Sequence, residues 1–271
     1  MVVDEEESGG DEFDGRRSLL AEVAREGGER ALESFREVVT VETKEGPLDS
    51  VTEVDRAVQR HVADRVADAF PDDALVGEED GAEKEIPETG YAWVVDPIDG
   101  TNNYVAGNRN WTTSVALVRD GAVVGAVNRA PALGESYVAL GNGSTRSDGP
   151  CTTSDRADLA TFTVDPVFGL SPAHRTGLAA VTGVVANRLG DLRRVGSGQL
   201  TLSMVAAGEL DAAVSTVSLP PWDTRAGVYL VREAGGVVTD LAGERWTGAS
   251  ESLLVSNGRA HDELVEAFGG L

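Results

Sequence analysis

The stretch WVVDPIDGTNNY (residues 93–104) decides how this chain is interpreted, because a run of apolar residues ends there in two closely spaced acids. The apolar residues 93–95 predict a buried strand, and Asp96 follows them directly. A carboxylate at the end of a buried strand is costly unless it is paired or binds a metal ion. The proline and glycine that follow enforce a turn, so Asp96, the Ile98 carbonyl and Asp99 can converge on one small volume. Because Mg²⁺ prefers hard oxygen ligands, the stretch predicts a magnesium site.

Taken alone, DPIDG is also typical of a simple turn, since Asp, Pro and Gly all favour turns. An EF-hand calcium loop is excluded, because the acidic spacing and the terminal Glu of that loop are missing. Two further stretches contain acids in suitable places. VGEED (76–80) ends a strand with adjacent acids that include Glu78, and PPWDTRAG (220–227) places Asp223 at the start of a helix. An acidic pair or a helix cap explains either one alone, but the three stretches in this order favour a single carboxylate site.

The composition restricts the function classes. The chain has 271 residues with 41% hydrophobic and 25% charged residues, as expected for a globular protein, and a formal charge of −23. This charge argues against a nucleic-acid-binding surface and against docking on anionic lipid, because both need Lys and Arg. No apolar run approaches the ~20 residues of a membrane span. The acidic N-terminus does not resemble a signal peptide, and with the single Cys151 this predicts a cytoplasmic protein.

The basic residues are unevenly chosen, since lysine occurs only at positions 44 and 84. Abundant acids, scarce lysine and small apolar residues predict a protein from a halophile, where molar salt screens carboxylate repulsion to a length of ~3 Å. An ordinary acidic protein with a disordered acidic tail is the alternative. The excess of acids runs through the whole chain, which favours halophily.

We divide the chain into three parts. Residues 1–15 are mostly Asp, Glu, Gly and Ser and predict a disordered acidic tail. Residues 16–150 predict an N-terminal α+β half with the metal-binding loops, and residues 151–271 a C-terminal α/β half with the substrate pocket and Asp223.

Hydrophobic periodicity and turn residues place the individual elements. Helices are predicted over residues 16–43, 52–70, 172–181, 199–208, 223–234 and 261–268. Strands are predicted over residues 74–77, 91–95, 114–118, 122–127, 161–164, 193–196, 211–215, 236–238 and 253–256. Asp120-Gly121 predicts a two-residue hairpin turn, and Asn142-Gly143 another turn.

The motifs together resemble the inositol monophosphatase family, within the lithium-sensitive phosphatase superfamily that includes fructose-1,6-bisphosphatases. The resemblance runs from about Val51 to about Asn257. WVVDPIDGTNNY matches the family pattern W-x-x-D-P-[IL]-D-G-T-x-N-[FY], and PPWDTRAG matches W-D-x-x-A-G. DSVTEVD (49–55) resembles the upstream D-x-V-T-x-x-D. The resemblance implies a layered αβαβα sandwich and a homodimer. Together with the composition, it predicts a halophilic archaeal source.

The family also implies ligands for two or three Mg²⁺ ions. One ion is expected at Glu78, Asp96 and the Ile98 carbonyl. A second is expected at Asp96, Asp99 and Asp223, with Asp96 bridging, and this is the site at which lithium would compete. A third, weaker ion would bind Glu78 through water.

The implied reaction is metal-assisted in-line hydrolysis of a phosphomonoester. Glu78 and Thr101 would position and deprotonate the attacking water, with Asp55 as the hydrogen-bond partner of the Thr101 hydroxyl. Backbone N–H groups at a helix start also suit a phosphate. The implied phosphate and substrate contacts are Asp99, Gly100, Thr101, Gly196, Ser197, Gly198 and Asp223.

The substrate is expected to be inositol monophosphate, fructose 1,6-bisphosphate or both. Inositol-selective members carry a Glu shortly before the W-D motif, whereas residues 215–219 here read STVSL, without an acid. Members acting on adenosine 3′,5′-bisphosphate usually have Lys-Gly after D-G-T, and here Asn102-Asn103 follows. The nucleotide phosphatase therefore stays an alternative, as does a metal-binding regulatory protein without catalysis.

Overall fold

The computed structural model describes residues 6–37, 41–43, 50–147, 149–167 and 172–271. The helices are α1 (Glu6–Glu33), α2 (Glu53–Ala69), α3 (Thr101–Val105), α4 (Arg175–Arg188), α5 (Gly198–Ala206), α6 (Pro221–Glu233) and α7 (His261–Phe268). Short 3₁₀ turns lie at Leu159–Thr161 and Pro172–His174.

The strands form two large sheets and a small one. The strands are β1 (Val41–Thr43), β2 (Ser50–Thr52), β3 (Ala74–Gly77), β4 (Tyr91–Asp99), β5 (Thr112–Arg119), β6 (Ala122–Ala130), β7 (Glu135–Ala139), β8 (Ser144–Arg146), β9 (Gly149–Pro150), β10 (Thr163–Pro166), β11 (Asp191–Leu192), β12 (Ala212–Ser215), β13 (Val237–Thr239) and β14 (Leu253–Ser256). The first large sheet has the order β3-β4-β5-β6-β7-β8-β9 and the second the order β11-β10-β12-β14-β13, while β1 pairs with β2.

Helices and sheets alternate in five layers. Helices α1 and α2 cover one face of the seven-stranded sheet, and α5 and α6 cover the other. The same α5 and α6 pack against the five-stranded sheet, whose opposite face carries α4 and α7. Four apolar clusters of described residues form the core, three of them between these layers and a fourth where α1 and α2 meet the end of β4 and α3. The layered sandwich expected from the sequence is therefore confirmed.

Local sequence explains why the elements form where they do. In α2 the valines at four-residue spacing form a buried face. Thr52 caps this helix, and its side chain forms a capping box with Asp55. The turn between β5 and β6 has positive φ at both Asp120 (50°) and Gly121 (76°), as a tight hairpin requires.

Three local predictions differ from the structure. Helix α1 ends at Glu33, and residues 41–43 form β1 instead of continuing the helix. Residues 193–196 are not a strand, because the Val195 N–H bonds to the side chain of Asp165 and β11 has already ended at Leu192. The third difference concerns the acidic N-terminus.

Residues 6–15, predicted to be disordered, belong to helix α1, whereas residues 1–5 lie outside the described residues. Contacts with distant residues explain the difference. Phe13 packs on the core beneath α1. The Arg16 guanidinium binds both oxygens of Asp73 at 2.7 and 2.8 Å and lies 4.2 Å above the ring of Phe70. These tertiary contacts outweigh a composition that disfavours order.

Candidate active site

The site is built around the end of β4, a strand flanked by β3 and β5. Asp96 lies opposite Ser114 and Asp99 opposite Thr112, so the pairing with β5 is irregular between these two acids. Gly100 follows with φ +93°, a conformation that favours glycine. A Cβ there would lie 3.0 Å from Ser197 Cβ and 3.1 Å from the Asn110 carbonyl oxygen. The DPIDG turn therefore brings the strand end against a loop of the second half.

Carboxylates from both halves meet at this turn. One oxygen each of Asp96, Asp99 and Asp223 lies within 4.8 Å of the others. Asp96 and Asp99 are 2% and 8% exposed, and Asp223 is half-buried in the first turn of α6. A cation is the simplest partner for three acids that are this close and this poorly hydrated.

Asp96 has the strongest need for such a partner. Burial raises its pKa well above the ordinary value, and the charges of Glu78, Asp99, Asp223 and Asp55 raise it further. Its Oδ1 atom is buried and has no hydrogen-bond partner among the described residues. Oxygen-only donors of this kind fit Mg²⁺ or another hard divalent cation.

Glu78 reaches the same site through parallel strand pairing. Strands β3 and β4 run parallel, with Gly77 opposite Val95. Both strands therefore end at the same edge of the sheet, and Glu78 follows Gly77 as Asp96 follows Val95. The Glu78 charge is the largest electrostatic contribution to the raised pKa of Asp96. The structure thus brings Asp96, Asp99 and Asp223 into one cluster and places Glu78 within electrostatic reach of Asp96.

Asp99 is held by the start of α5. The hydroxyl of Ser197, the N-cap of α5, donates to Asp99 Oδ2, and the N–H groups of Gln199 and Gly198 donate at 2.7 and 3.2 Å. Burial raises the pKa of Asp99, and these hydrogen bonds oppose the rise. The Ser197 side chain therefore orients an acid, and it is buried.

Thr101 and Asp55, which the family resemblance pairs, lie next to each other. The Thr101 hydroxyl is 2.9 Å from the Ile98 carbonyl oxygen and 3.3 Å from Asp55 Oδ1. Because a hydroxyl has one proton, it donates to one of these acceptors at a time. Asp55 is buried, which raises its pKa to about 6, against hydrogen bonds from Thr52 that lower it.

Side-chain amides connect the loops of the site, and sequence reasoning did not single them out. Asn103 donates to the Asn110 and Val195 carbonyls at 2.7 and 2.9 Å, beside Gly196. Gln199 donates to the Trp222 carbonyl and accepts from the Gly227 N–H. The only available signal was their position inside or beside the motifs, since periodicity carries no information about such bonds.

The predicted glycines lie close to the acids. Gly196 has φ +83°, and a Cβ there would lie 2.9 Å from Asn103 Nδ2. A Cβ on Gly198 would lie 3.6 Å from the Asp223 carbonyl oxygen and 4.0 Å from Asp99 Oδ1. Gly196 is therefore required by its positive φ and its close approach to Asn103, whereas a Cβ on Gly198 would meet these acids only at ordinary contact distances.

A model of the inositol monophosphatase family matches residues 16–270. The chain belongs to the inositol monophosphatase family. Members are metal-dependent phosphatases, and this inositol monophosphatase-family chain is accordingly a phosphatase. The acidic cluster lies where the family's motifs are.

Three relatives illustrate the similarity of this family member to known proteins. A fructose-1,6-bisphosphatase/inositol-1-monophosphatase of Thermotoga maritima is 36% identical over 230 residues, which cover 84% of this chain and 86% of the relative. The Nus factor SuhB of Escherichia coli is 31% identical over 262 residues, covering 93% and 97%. A solved structure of a Thermotoga maritima IMPase superimposes with a TM-score of 0.83 at 34% identity, covering 96% of this chain and 97% of that one.

Proposed function

We propose that the protein is a Mg²⁺-dependent phosphomonoesterase that hydrolyses inositol monophosphate, fructose 1,6-bisphosphate or both. The single observation that supports this most strongly is the cluster of Asp96, Asp99 and Asp223, with one oxygen of each within 4.8 Å of the others. An unfilled cluster of this kind is electrostatically unfavourable, so a bound divalent cation accounts for it.

The chain's own oxygen atoms would hold the ions. Glu78, Asp96 and the Ile98 carbonyl would hold one, and Asp96, Asp99 and Asp223 a second. A third, weaker ion would bind near Glu78. When bound, the ions supply a nucleophilic water at neutral pH and neutralise charge on the phosphoryl group. We expect lithium to compete at the second site.

Thr101 and Glu78 are proposed to position the attacking water. If the Ile98 carbonyl is a ligand, the Thr101 proton is donated to Asp55 Oδ1, the other acceptor within reach. The Thr101 oxygen then presents its lone pairs to water. Glu78 would accept the proton that this water releases. Asp55 acts in this scheme by orienting the Thr101 hydroxyl.

The phosphate and the alcohol part of the substrate would lie across the two halves. We propose that the N–H groups of Gly100 and Thr101 bind the phosphate. The loop of Gly196, Ser197 and Gly198 would border the leaving group. The name of the Thermotoga maritima relative combines both proposed substrates, which supports testing them side by side.

Other proposals concern the setting of the enzyme. We propose a cytoplasmic homodimer. Separately, no helix among the described residues is both long and apolar enough to cross a membrane. Similarity to the Nus factor SuhB favours a second candidate, a regulatory protein in which the acids bind metal without turnover.

Release of inorganic phosphate separates these candidates. The protein, stripped of metal with EDTA, is assayed in molar KCl with inositol 1-phosphate, fructose 1,6-bisphosphate and adenosine 3′,5′-bisphosphate. We expect turnover of one or both sugar phosphates only after Mg²⁺ is restored. Preference for the nucleotide would instead favour the nucleotide phosphatase. No phosphate release from any substrate, with Mg²⁺ binding intact, would favour the regulatory protein.

A further inference from the structure

Lys84 forms an unusual set of contacts beside the acidic cluster. Its ammonium group donates to the carbonyls of Gly77, Glu78 and Glu79 at 2.9, 2.9 and 3.1 Å. A lysine ammonium has three donors, so these carbonyls use its full capacity. Lys84 is the only lysine in the described part of the chain, whose other cations there are arginines. Arginine could not replace it simply, because a planar fork does not direct its donors in the same way.

The contacts hold the loop that carries Glu78. The residue before Lys84, Glu83, is bonded to β3, since its N–H donates to the Leu75 carbonyl at 2.9 Å and its carbonyl accepts from the Gly77 N–H at 3.1 Å. These two bonds close a loop between Gly77 and Glu83. The Lys84 ammonium group binds three carbonyl oxygens of this loop. Lys84 thereby fixes the backbone on both sides of the Glu78 side chain.

Gln59 of helix α2 also holds the loop that carries Glu78. Gln59 accepts from the Glu79 N–H at 2.8 Å and donates to the Glu79 carbonyl at 3.0 Å. This carbonyl therefore accepts hydrogen bonds from both Gln59 and Lys84. The backbone of Glu79 is thus held by Gln59 from helix α2 and by the nearby Lys84, which restricts the movement of the neighbouring Glu78.

Lys84 also contacts the segment that carries Asp223. Its ammonium nitrogen lies 5.2 Å from the ring centroid of Trp222, within the range of a cation–π interaction. The Trp222 carbonyl is in turn bonded to Gln199. One side chain thus contacts both the loop that carries Glu78 and the first turn of α6, which carries Asp223.

We propose that Lys84 is a positioning residue for the cation site. It holds the Glu78 loop and the Trp222–Asp223 segment in the arrangement that binds the cation, and it does not contact the substrate. This inference rests on the proposed function, because it assumes that the acidic cluster binds Mg²⁺.

Positioning and simple electrostatics predict opposite effects of removing this charge. If Lys84 acted only through its charge, its loss would make the site more negative and strengthen Mg²⁺ binding. If Lys84 positions the loops, its loss weakens binding, because the carboxylates no longer converge. Molar KCl screens the electrostatic effect to a length of ~3 Å and leaves the positioning effect in place.

The experiment compares Mg²⁺ binding by thermal shift and calorimetry in the metal-stripped full-length protein at 0.1 and 2 M KCl. Lys84→Met keeps an unbranched apolar stem and removes the donors and the charge. Lys84→Arg keeps the charge. Arg119→Met is the matched control, because it loses the same charge beside Tyr91, at the other end of β4 from Asp96.

We expect Lys84→Met to raise the dissociation constant for Mg²⁺ about tenfold at both salt concentrations, as is typical when a residue that orients metal ligands is lost. Lys84→Arg should recover part of the affinity, and Arg119→Met should match the wild type. Unchanged or tighter binding in Lys84→Met at 2 M KCl would overturn the inference. If Lys84→Met does not fold, Lys84→Arg decides, since wild-type affinity in that variant would also overturn it.

The results also distinguish this inference from the proposed function. An active, Mg²⁺-dependent wild type with normal binding in the Lys84 variants overturns only the role of Lys84. A wild type that binds Mg²⁺ but releases no phosphate overturns only the proposed activity. A wild type that does not bind Mg²⁺ overturns both.

Discussion

The side-chain amide of Asn103 donates to the Val195 carbonyl oxygen at 2.9 Å and so connects helix α3 with the loop before α5. The same amide nitrogen donates to the Asn110 carbonyl at 2.7 Å. Both amide protons of Asn103 are therefore used in hydrogen bonds to backbone carbonyl oxygens, which act only as acceptors. The pairing joins the two halves beside the acidic cluster.

Replacing this amide tests its role. Asn103→Asp should destabilise the protein more than Asn103→Ala, because it places a carboxylate opposite two carbonyl oxygens. We expect a loss of about 1–3 kcal/mol in the free energy of unfolding for the Ala variant, and a larger loss for the Asp variant. Urea unfolding of the three proteins measures both. Equal stability of the Asp and Ala variants would contradict the assigned direction of the hydrogen bonds.

Neutralising the central acid should separate stability from activity. Asp96→Asn removes an acid whose ionisation is disfavoured by burial and by the neighbouring charges, so the melting temperature without metal should rise. Hydrolysis should be lost, because the proposed bridging ligand is gone. Thermal melts with EDTA and phosphate-release assays with saturating Mg²⁺ check the two halves of this prediction. Turnover near that of the wild type would refute the mechanism.

A buried acid outside the cluster gives a pH-dependent prediction. Asp165 is fully buried, which raises its pKa to about 6, against hydrogen bonds from Thr201 and the Val195 N–H that lower it. Because the folded pKa lies above the unfolded one, the folded state retains a proton that the unfolded chain loses between about pH 4 and pH 6. Its stabilising contribution is present below this window and is lost as the pH rises through it.

Asp165→Asn should therefore stabilise the protein relative to the wild type at pH 8, by up to about 3 kcal/mol, and little at pH 4. Thermal or urea unfolding across this range measures the difference. The control is Asp191→Asn on the neighbouring strand, where an ion pair with Arg193 lowers the pKa of the acid, so no gain is expected at pH 8. Parallel pH profiles of the wild type and Asp165→Asn would contradict the prediction.

Salt should have a large effect on stability. The chain has 46 acidic and 23 basic residues, and repulsion between the acids is partly relieved when the chain expands. Raising KCl from 0.1 to 1 M shortens the screening length from ~10 to ~3 Å. We expect the melting temperature to climb up to molar KCl and to rise further with millimolar Mg²⁺ at constant ionic strength, by linkage to binding. A flat profile from 0.1 to 2 M KCl would refute the halophile interpretation.

Much of the fold could be predicted because hydrophobic periodicity reports burial directly. The four-residue spacing of valines gave α2, and the short apolar runs gave most strands of both sheets. The failures at residues 6–15 and 193–196 come from contacts between residues far apart in the chain. Residues 6–15 resemble a disordered tail in composition, and only the distant partner Asp73 of Arg16 reveals that a helix is anchored there.

The contrast between local sequence pattern and distant contacts also applies to the candidate site. The acids could be named from their motifs, because a carboxylate at the end of a buried strand is conspicuous in any sequence. The residues that hold those acids could not, since nothing in the pattern of Gln199 or Lys84 indicates which carbonyls they bond to. Roles in holding loops depend on three-dimensional geometry, whereas roles in chemistry depend more directly on residue type.

The convergence of Asp96 and Asp223 also bears on how the protein unfolds. Asp96 lies in β4, in the first half of the chain, and Asp223 lies in α6, in the second half. More than a hundred residues separate them in the sequence. A cation bound by both acids, as proposed above, would act as a reversible cross-link that is lost if either half opens. Cation binding would then further couple the opening of the two halves, which already share the core around α5 and α6. We therefore expect a broader unfolding transition in metal-free protein than in protein with saturating Mg²⁺.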